Sequence, residues 1–404
     1  MIPFSPPRID DETIAAVTEV LKSGWITTGP KTKQFEKEIT AYCGVKTTVA
    51  VNSWTMGMQV LLDWWGIGEG DEVIVPAYTY CASVNVIIHS GATPVLVDIN
   101  FDDFNANVNE IRTKITDKTK AILAVDIGGF PSDYEAIMRL VQDPVIQSQF
   151  NPGSDLQKKL NRIIVLSDAA HSFGATIQGQ PAPIYSDIST YSFHAVKNLT
   201  TAEGGALCFN LPDDFDHDEI YRELCVRILH GQTKDALAKT QKGNWRYDVE
   251  EPGFKCNMTD IQAAIGLVEL GRYDENLNRR KEIFTAYDEA FANDSWAITP
   301  LHTNANKISS YHLYMLRVDG ATEDQRDAII QEIATKDVSV NVHFQPIPML
   351  TAYKKRGFKI EDYPNTYSKY ANEISLPVYF NLSNADVKTV IDTVRSAVDT
   401  VLDH

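Results

Sequence analysis

Lys197 follows the apolar run DISTYSF (187–193) and precedes the glycine-rich stretch TTAEGG (200–205). A lysine between two buried strands loses solvation, which lowers its pKa and leaves an amine able to condense with an aldehyde or ketone. The bland alternative is a surface lysine in a loop. Its company argues against that. Asp168 ends another apolar run, IIVLS (163–167), and Ala169-Ala170-His171 follow it. A carboxylate at the end of a buried strand is costly unless it meets a cation or several donors, although it can also cap the next segment. A third run, VAVNS (49–53), leads into Trp54-Thr55-Met56-Gly57, which opens a helix. Hydroxyls and free N–H groups at a helix N-terminus hold anions, or they merely cap the helix. An amine, a carboxylate and an anion cradle are together what a phosphorylated pyridine aldehyde needs from a protein.

The elements that position these groups alternate. Residues 9–22 carry apolar positions at helical spacing behind an acidic start, with Gly24 after the end, and 32–42 gives a second amphipathic helix. TTVAVNS, DEVIVPA, TPVLVDI, AILAVDI, IIVLSDAA and DISTYSF read as strands, with GGALCFN after them; MGMQVLLDWW and YCASVNVIIHSG read as helices. Continuous Val/Ile/Leu runs separated by helices predict a parallel sheet buried on both faces, from about residue 45 to about 210. Ligands of such sheets sit beyond the carboxyl ends of the strands, where Thr55, Asp168 and Lys197 all fall. Residues 257–292 read as one long helical stretch, and the chain after it as a smaller α+β unit. The expected fold is therefore α/β, with a large domain (13–250) and a small C-terminal domain (251–404, joined by 1–12). Segments 142–162 and 231–253 are polar and rich in Gly and Pro, and are expected to be surface loops.

Composition excludes several classes of function. With 37 basic against 54 acidic side chains in 404 residues, the net charge of −17 would repel a nucleic-acid backbone. The five cysteines show no CxxC pair and no metal-ligand spacing, which fits a reducing compartment. MIPFSPPRIDDE lacks the features of a secretory signal, and no apolar run is long enough to span a bilayer, so a cytoplasmic location is expected. A nicotinamide-dependent oxidoreductase would need a G-x-G-x-x-G turn after the first strand, and VAVNSWTMGM offers none.

The chain resembles the sugar aminotransferases of the DegT/DnrJ/EryC1/StrS group, within the fold-type-I pyridoxal-phosphate enzymes. The matching segments are GWITTGPKTKQFE (24–36), GDEVIVPAYTYCAS (70–83), ITDKTKAI (115–122), SDAAHSFGA (167–175), SFHAVKNLTTAEGGA (192–206), NMTDIQAAIG (257–266) and SLPVYFNLS (375–383). They run through nearly the whole chain in family order, and SFHAVKNLTTAEGG is the most specific. The resemblance implies that Lys197 binds pyridoxal 5′-phosphate covalently and shuttles protons, and that Asp168 pairs with the pyridine nitrogen. It places His171 near the phenolic oxygen, Tyr80 over the ring, and Thr55, Met56 and Ser192 around the phosphate. Asn257 matches an asparagine that reaches the phosphate of the neighbouring subunit, which implies a homodimer with shared active sites. Trp25 and Thr28 match a loop near the nucleotide-sugar, His343 a position near the partner's site, and His194 a neighbour of cofactor or substrate.

Three positions depart from the family pattern: Trp54 and Ala202 stand where glycine is common, and Asp126 where histidine is frequent. The resemblance implies transfer of an amino group from an amino acid, L-glutamate in the family, to a nucleotide-linked keto-sugar. GWITTGPKT with SFHAVK most resembles members that aminate C4 of a UDP-linked 4-keto-6-deoxy-N-acetylhexosamine. Amination of C3 on a dTDP-linked keto-sugar is the close rival, and a non-catalytic regulator that kept the fold is the alternative from another class.

Overall fold

The computed structural model describes residues 1–233 and 246–402. Helix α1 (Asp11–Ser23) starts on an Asp10 cap and ends at Gly24, whose φ of 74° lets its N–H close back onto Leu21. Helix α2 (Pro30–Cys43) follows. The next strands are β1 (Thr47–Val51), β2 (Glu72–Pro76), β3 (Thr93–Val97), β4 (Thr119–Val125), β5 (Ile164–Asp168), β6 (Thr176–Ile177), β7 (Gln180–Pro181), β8 (Ile188–Ser192) and β9 (Gly205–Phe209). Between them lie α3 (Trp54–Trp64), α4 (Cys81–His89) and further helices.

Seven strands form one sheet in the order β1-β9-β8-β5-β4-β2-β3. All pairings are parallel except those of β9, which runs antiparallel to both β1 and β8. The twelve-residue loop 193–204 returns the chain directly from β8 to β9 without a crossover helix, which forces the reversal. Every residue of β4 is buried, as expected for a strand covered on both faces. One core packs α3 and α4 against the sheet (Val49, Met58, Leu61, Val75, Val84, Leu123), and a second packs α2 against the other side (Phe35, Ile39, Tyr191, Phe193, Met258). Trp64 and Trp65 belong to the first core.

Strands β10 (Ala297–Ile298), β12 (Tyr314–Val318) and β13 (Glu373–Leu376) form a small antiparallel sheet, while β11 (Lys307–Ile308) pairs with β6. The helices Tyr273–Phe291, Glu323–Thr335 and Asn384–Leu402 cover the small sheet around a separate core that includes Phe284, Leu316, Ile329 and Val394. No helix among the described residues is long and apolar enough to cross a membrane.

Two local expectations are corrected. Segment 142–162 contains two short helices, Pro144–Gln149 and Asp155–Leu160, each started by a side-chain cap, Asp143 and Ser154. The stretch 257–292 is two helices, Asp260–Gly271 and Tyr273–Phe291. Arg272 breaks them, at φ −122° and ψ 19°, where its guanidinium binds both Asp10 and Glu269. Of the expected loop 231–253, residues 234–245 lie outside the described residues, and Gln232 bridges Val249 at its base.

Candidate active site

The carboxyl ends of β1, β4, β5 and β8 and the start of β9 meet at a cavity of about 340 Å³, within the usual size of small-molecule sites. Its walls include Thr55, Tyr80, Asp168, His171, Ser192, His194, Lys197 and His343. Eight of the residues expected from sequence are thus brought together from five separate segments.

Asp168 is the last residue of β5 and is buried. Its Oδ2 accepts from Ser83 Oγ at 2.8 Å, and its Oδ1 from the Ala170 N–H at 3.2 Å. Burial pushes its pKa up to about 6, with Ser83, Ala170 and the Lys197 charge opposing the rise. Lys197 reaches the cavity from the loop between β8 and β9. By surface area the residue is only half-buried, yet protein atoms crowd its amine. Desolvation lowers its pKa to about 8, the Asp168 charge working the other way. No hydrogen bond holds Lys197 Nζ among the described residues. A part-neutral, unbonded amine therefore shares the cavity with a carboxylate.

This arrangement burdens the folded chain. The folded-state pKa of Lys197 lies below the ordinary 10.5, so the unfolded chain binds more protons between about 8 and 10.5. The cost is full below about 8, fades as pH rises, and is gone above about 10.5. Lys197→Met is accordingly expected to raise the thermal midpoint of the ligand-free protein by a few degrees at neutral pH, with no gain above the upper limit. Scanning calorimetry across that range checks it, and an unchanged midpoint at neutral pH would count against the buried amine.

The anion cradle is built from α3. Ser53 caps it by accepting from the Met56 N–H at 3.2 Å, and the Trp54 and Thr55 N–H groups lie in the first turn, without intrahelical partners. Close approach to β9 requires glycine, since a Cβ on Gly205 would stand 2.7 Å from Trp54 N. Trp54 fits where glycine is common because its ring is buried in the α3 core. Ala202 holds φ at 68°, a left-handed conformation in which glycine would be relaxed. Asp126 points away from the cavity and accepts from Ser132 N, Tyr134 Oη and Ser172 Oγ, so this departure leaves the cavity wall unchanged.

His171 accepts from the Gly128 N–H at Nδ1 (3.3 Å), so its proton sits on Nε2. Burial, then the Lys197 and His343 charges, hold its pKa well below 6.5. Its ring lies 4.4 Å from that of His312 and 5.8 Å from Phe344. Tyr80 stands at the N-terminus of α4 with 58 % of its surface exposed, its ring 5.7 Å from Phe344. His194 is exposed, 3.7 Å from Glu203.

Four expected residues do not line the cavity of this chain. The side chain of Met56 is directed elsewhere, while its N–H is taken by Ser53. Trp25, Thr28 and Asn257 form a separate group: Asn257 Nδ2 donates to Thr28 Oγ1 at 2.6 Å, Thr28 Oγ1 to the Met258 carbonyl, and Trp25 Nε1 to the Thr28 carbonyl.

Sequence reasoning missed Phe4, Ser83, His312 and Phe344, which also line the cavity. Ser83 was accessible in principle, because the Thr79-to-Ser83 spacing returns a hydroxyl to the strand end where Asp168 lies. The other three arrive from distant segments and carry no local signal.

These features fit pyridoxal phosphate: an unbonded amine, a buried carboxylate, a helix N-terminus and a glycine pair that lets β9 close against it. The comparisons agree. The model of the DegT/DnrJ/EryC1/StrS aminotransferase family matches residues 7–147 and 153–395, and the chain belongs to this family. It is therefore a pyridoxal-phosphate-dependent enzyme of the sugar-aminotransferase class. The spore coat polysaccharide biosynthesis protein SpsC of Bacillus subtilis is 38 % identical over 404 residues, covering 98 % of this chain and 97 % of SpsC. Spr1654 from Streptococcus pneumoniae in its PMP form superposes with a TM-score of 0.96 at 46 % identity, covering 99 % of this chain and 100 % of that one. It is also solved in a PLP form. PseC of Helicobacter pylori, an aminotransferase involved in the biosynthesis of pseudoaminic acid, gives a TM-score of 0.85 at 26 % identity, with 99 % of both chains covered.

Proposed function

We propose that this chain moves an amino group from L-glutamate to a nucleotide-linked keto-sugar, at C4 of a UDP-linked 4-keto-6-deoxy-N-acetylhexosamine. The observation that carries the reaction class is Lys197 and Asp168 held in one cavity, an unbonded amine near neutrality beside a buried carboxylate. When bound, pyridoxal phosphate supplies an electron sink that lets an amine be removed from one substrate and passed to another.

The protein's own residues do the rest. Lys197 Nζ anchors the cofactor and, with its depressed pKa, takes and returns the proton at the substrate carbon. Asp168, fixed by Ser83 and Ala170, keeps a proton on the ring nitrogen facing it. The free Trp54 and Thr55 N–H groups at the start of α3, with Ser192, receive the phosphate, while Met56 spends its N–H on the Ser53 cap. His171 offers Nε2–H to the ring oxygen, and Tyr80 covers the ring face. His194 and His343 contact substrate from the cavity rim. Asn257 serves the phosphate site of a second copy, in a homodimer with shared active sites, and Trp25 and Thr28 contact the nucleotide-sugar. That Asn257 does not line this chain's own cavity supports its assignment to the second copy. The segments GWITTGPKT and SFHAVK support the hexosamine substrate. The free thiols among the described residues, Cys43 to Cys256, are in keeping with a cytoplasmic site of action.

Incubating the protein and cofactor with ¹⁵N-labelled L-glutamate and a panel of nucleotide-linked keto-sugars is expected to place the label in a UDP-linked 4-amino-sugar, read by mass spectrometry. Label in a dTDP-linked 3-amino-sugar instead would move the substrate and keep the chemistry. Label in no sugar would overturn the assignment.

A further inference from the structure

His343 is held on three sides. Its backbone N–H donates to Glu373 Oε2 at 3.0 Å, its carbonyl accepts from Tyr78 Oη at 2.7 Å, and its ring stacks on Phe4 at 5.3 Å. Ring atom Nδ1 lies 2.9 Å from Ser375 Oγ, which in turn lies 2.5 Å from Glu373 Oε1. Glu373 and Ser375 belong to β13 and are fully buried. His343 lines the cavity, and its Nε2 has no hydrogen-bond partner among the described residues.

The surroundings of Glu373 favour its neutral form. Arg326, from the helix Glu323–Thr335, binds the Glu373 and Tyr370 carbonyls and Asp327, not the carboxylate. Arg317 stands opposite Glu373 in β12, and Tyr78 is a further titratable neighbour. No cationic side chain donates to the carboxylate among the described residues, and a buried carboxylate with only a hydroxyl and one N–H takes up a proton readily. Burial pushes its pKa up to about 8 against the pull of Ser375, the His343 N–H and Arg326. Around the ring, the charged or titratable groups are Lys197, His171 and His312. Burial, then Lys197, lowers His343 to about 3, so the imidazole is neutral at ordinary pH and only its tautomer remains to be set.

We propose that Glu373 and Ser375 are positioning residues that decide which ring nitrogen of His343 carries the proton. His343 then offers an Nε2–H donor to a substrate oxygen while Glu373 is protonated, and a bare Nε2 once it ionises. Oε2 of Glu373 already accepts from the His343 N–H, so an acid proton sits on Oε1 and points at Ser375 Oγ. The Ser375 hydroxyl must then donate to Nδ1, which leaves the ring proton on Nε2. When Glu373 releases its proton to solvent, the hydroxyl turns to Oε1 and Nδ1 becomes the donor to Ser375. The ring keeps one proton throughout, exchanged through solvent in the cavity. A donor at Nε2 suits an oxygen acceptor, either a sugar oxygen or the carboxylate of the amino donor. That choice of ligand rests on the aminotransferase reading, whereas the tautomer does not.

The test is ¹⁵N-histidine NMR of the full-length protein, with His343→Gln to assign the signal. In the wild type, Nε2–H is expected at about pH 7 and Nδ1–H above about pH 9, with a midpoint near 8. In Glu373→Gln the amide NH₂ replaces the acid proton and the amide oxygen keeps the His343 N–H, so Nε2–H should persist throughout. The same wild-type tautomer on both sides of the midpoint overturns the proposal even if no variant folds, as does a Glu373→Gln protein that titrates like the wild type. In turnover, the substrate KM is expected to rise several-fold across that range in the wild type and the rise to vanish in Glu373→Gln, while any change in kcat that Lys197 contributes is shared by both proteins. If no turnover is found at all, the functional reading fails and the NMR outcome still decides the relay.

Discussion

Lys197→Ala is expected to lower transamination by at least about 10³-fold, the scale set by loss of a positioned proton-transfer group that also binds the cofactor. Among the described residues no second amine lines the cavity to replace it. The nearby histidines are committed elsewhere: His171 Nδ1 holds the Gly128 N–H, His312 Nδ1 faces the Asn198 amide oxygen, and His343 Nδ1 faces Ser375. Burial also lowers all three pKa values, so none is a ready proton carrier at neutral pH. The variant should fold and still bind the cofactor or its amine form, because the α3 cradle and Asp168 are untouched. Single-turnover kinetics with glutamate measures the effect, and near-native rates would refute the role.

Asp168→Asn is expected to cost on the order of 10²-fold in kcat/KM, the scale for removing one preorganised electrostatic partner. An amide keeps the size of the side chain but cannot hold a proton on a pyridine nitrogen. Stability should move the other way. The folded-state pKa is raised to about 6 from the ordinary 3.8, so the folded chain binds more protons than the unfolded one between those values. Stability gained from the acid form is full below about 3.8 and lost as pH rises through about 6, leaving the ionised group as a burden at neutral pH. The ligand-free variant is therefore expected to melt no lower than the wild type at neutral pH, while its activity falls. An unchanged rate would remove Asp168 from the reaction.

The opposed signs of these effects explain why the site could be read from the chain. Asp168 and Lys197 are polar groups placed where strand periodicity calls for burial, and such conflicts mark functional positions. The sheet itself was legible because β2, β4 and β5 carry the short apolar runs VIV, AILAV and IVL. The direction of β9 was not, since an apolar run is the same read either way and only the short return from β8 settles it. The break at Arg272 was marked in the chain only by Gly271, a weak helix-end signal inside an otherwise apolar-periodic stretch, and the kink is stabilised by Asp10 from the other end of the chain. Phe4, His312 and Phe344 reach the cavity through the packing of the small sheet against the large one, which no local spacing records.

Among the described residues, two lysines have pKa values lowered by burial to about 8, Lys197 in the cavity and Lys369 beside Phe104, away from it. Depressed basicity alone therefore does not choose between them, and geometry must. Borohydride reduction of the protein loaded with pyridoxal phosphate, followed by digestion and peptide mass spectrometry, makes the choice directly. The pyridoxyl mass is expected on the peptide that contains Lys197, at about one per chain. Its appearance on Lys369 or another lysine, with Lys197 unmodified, would contradict the account.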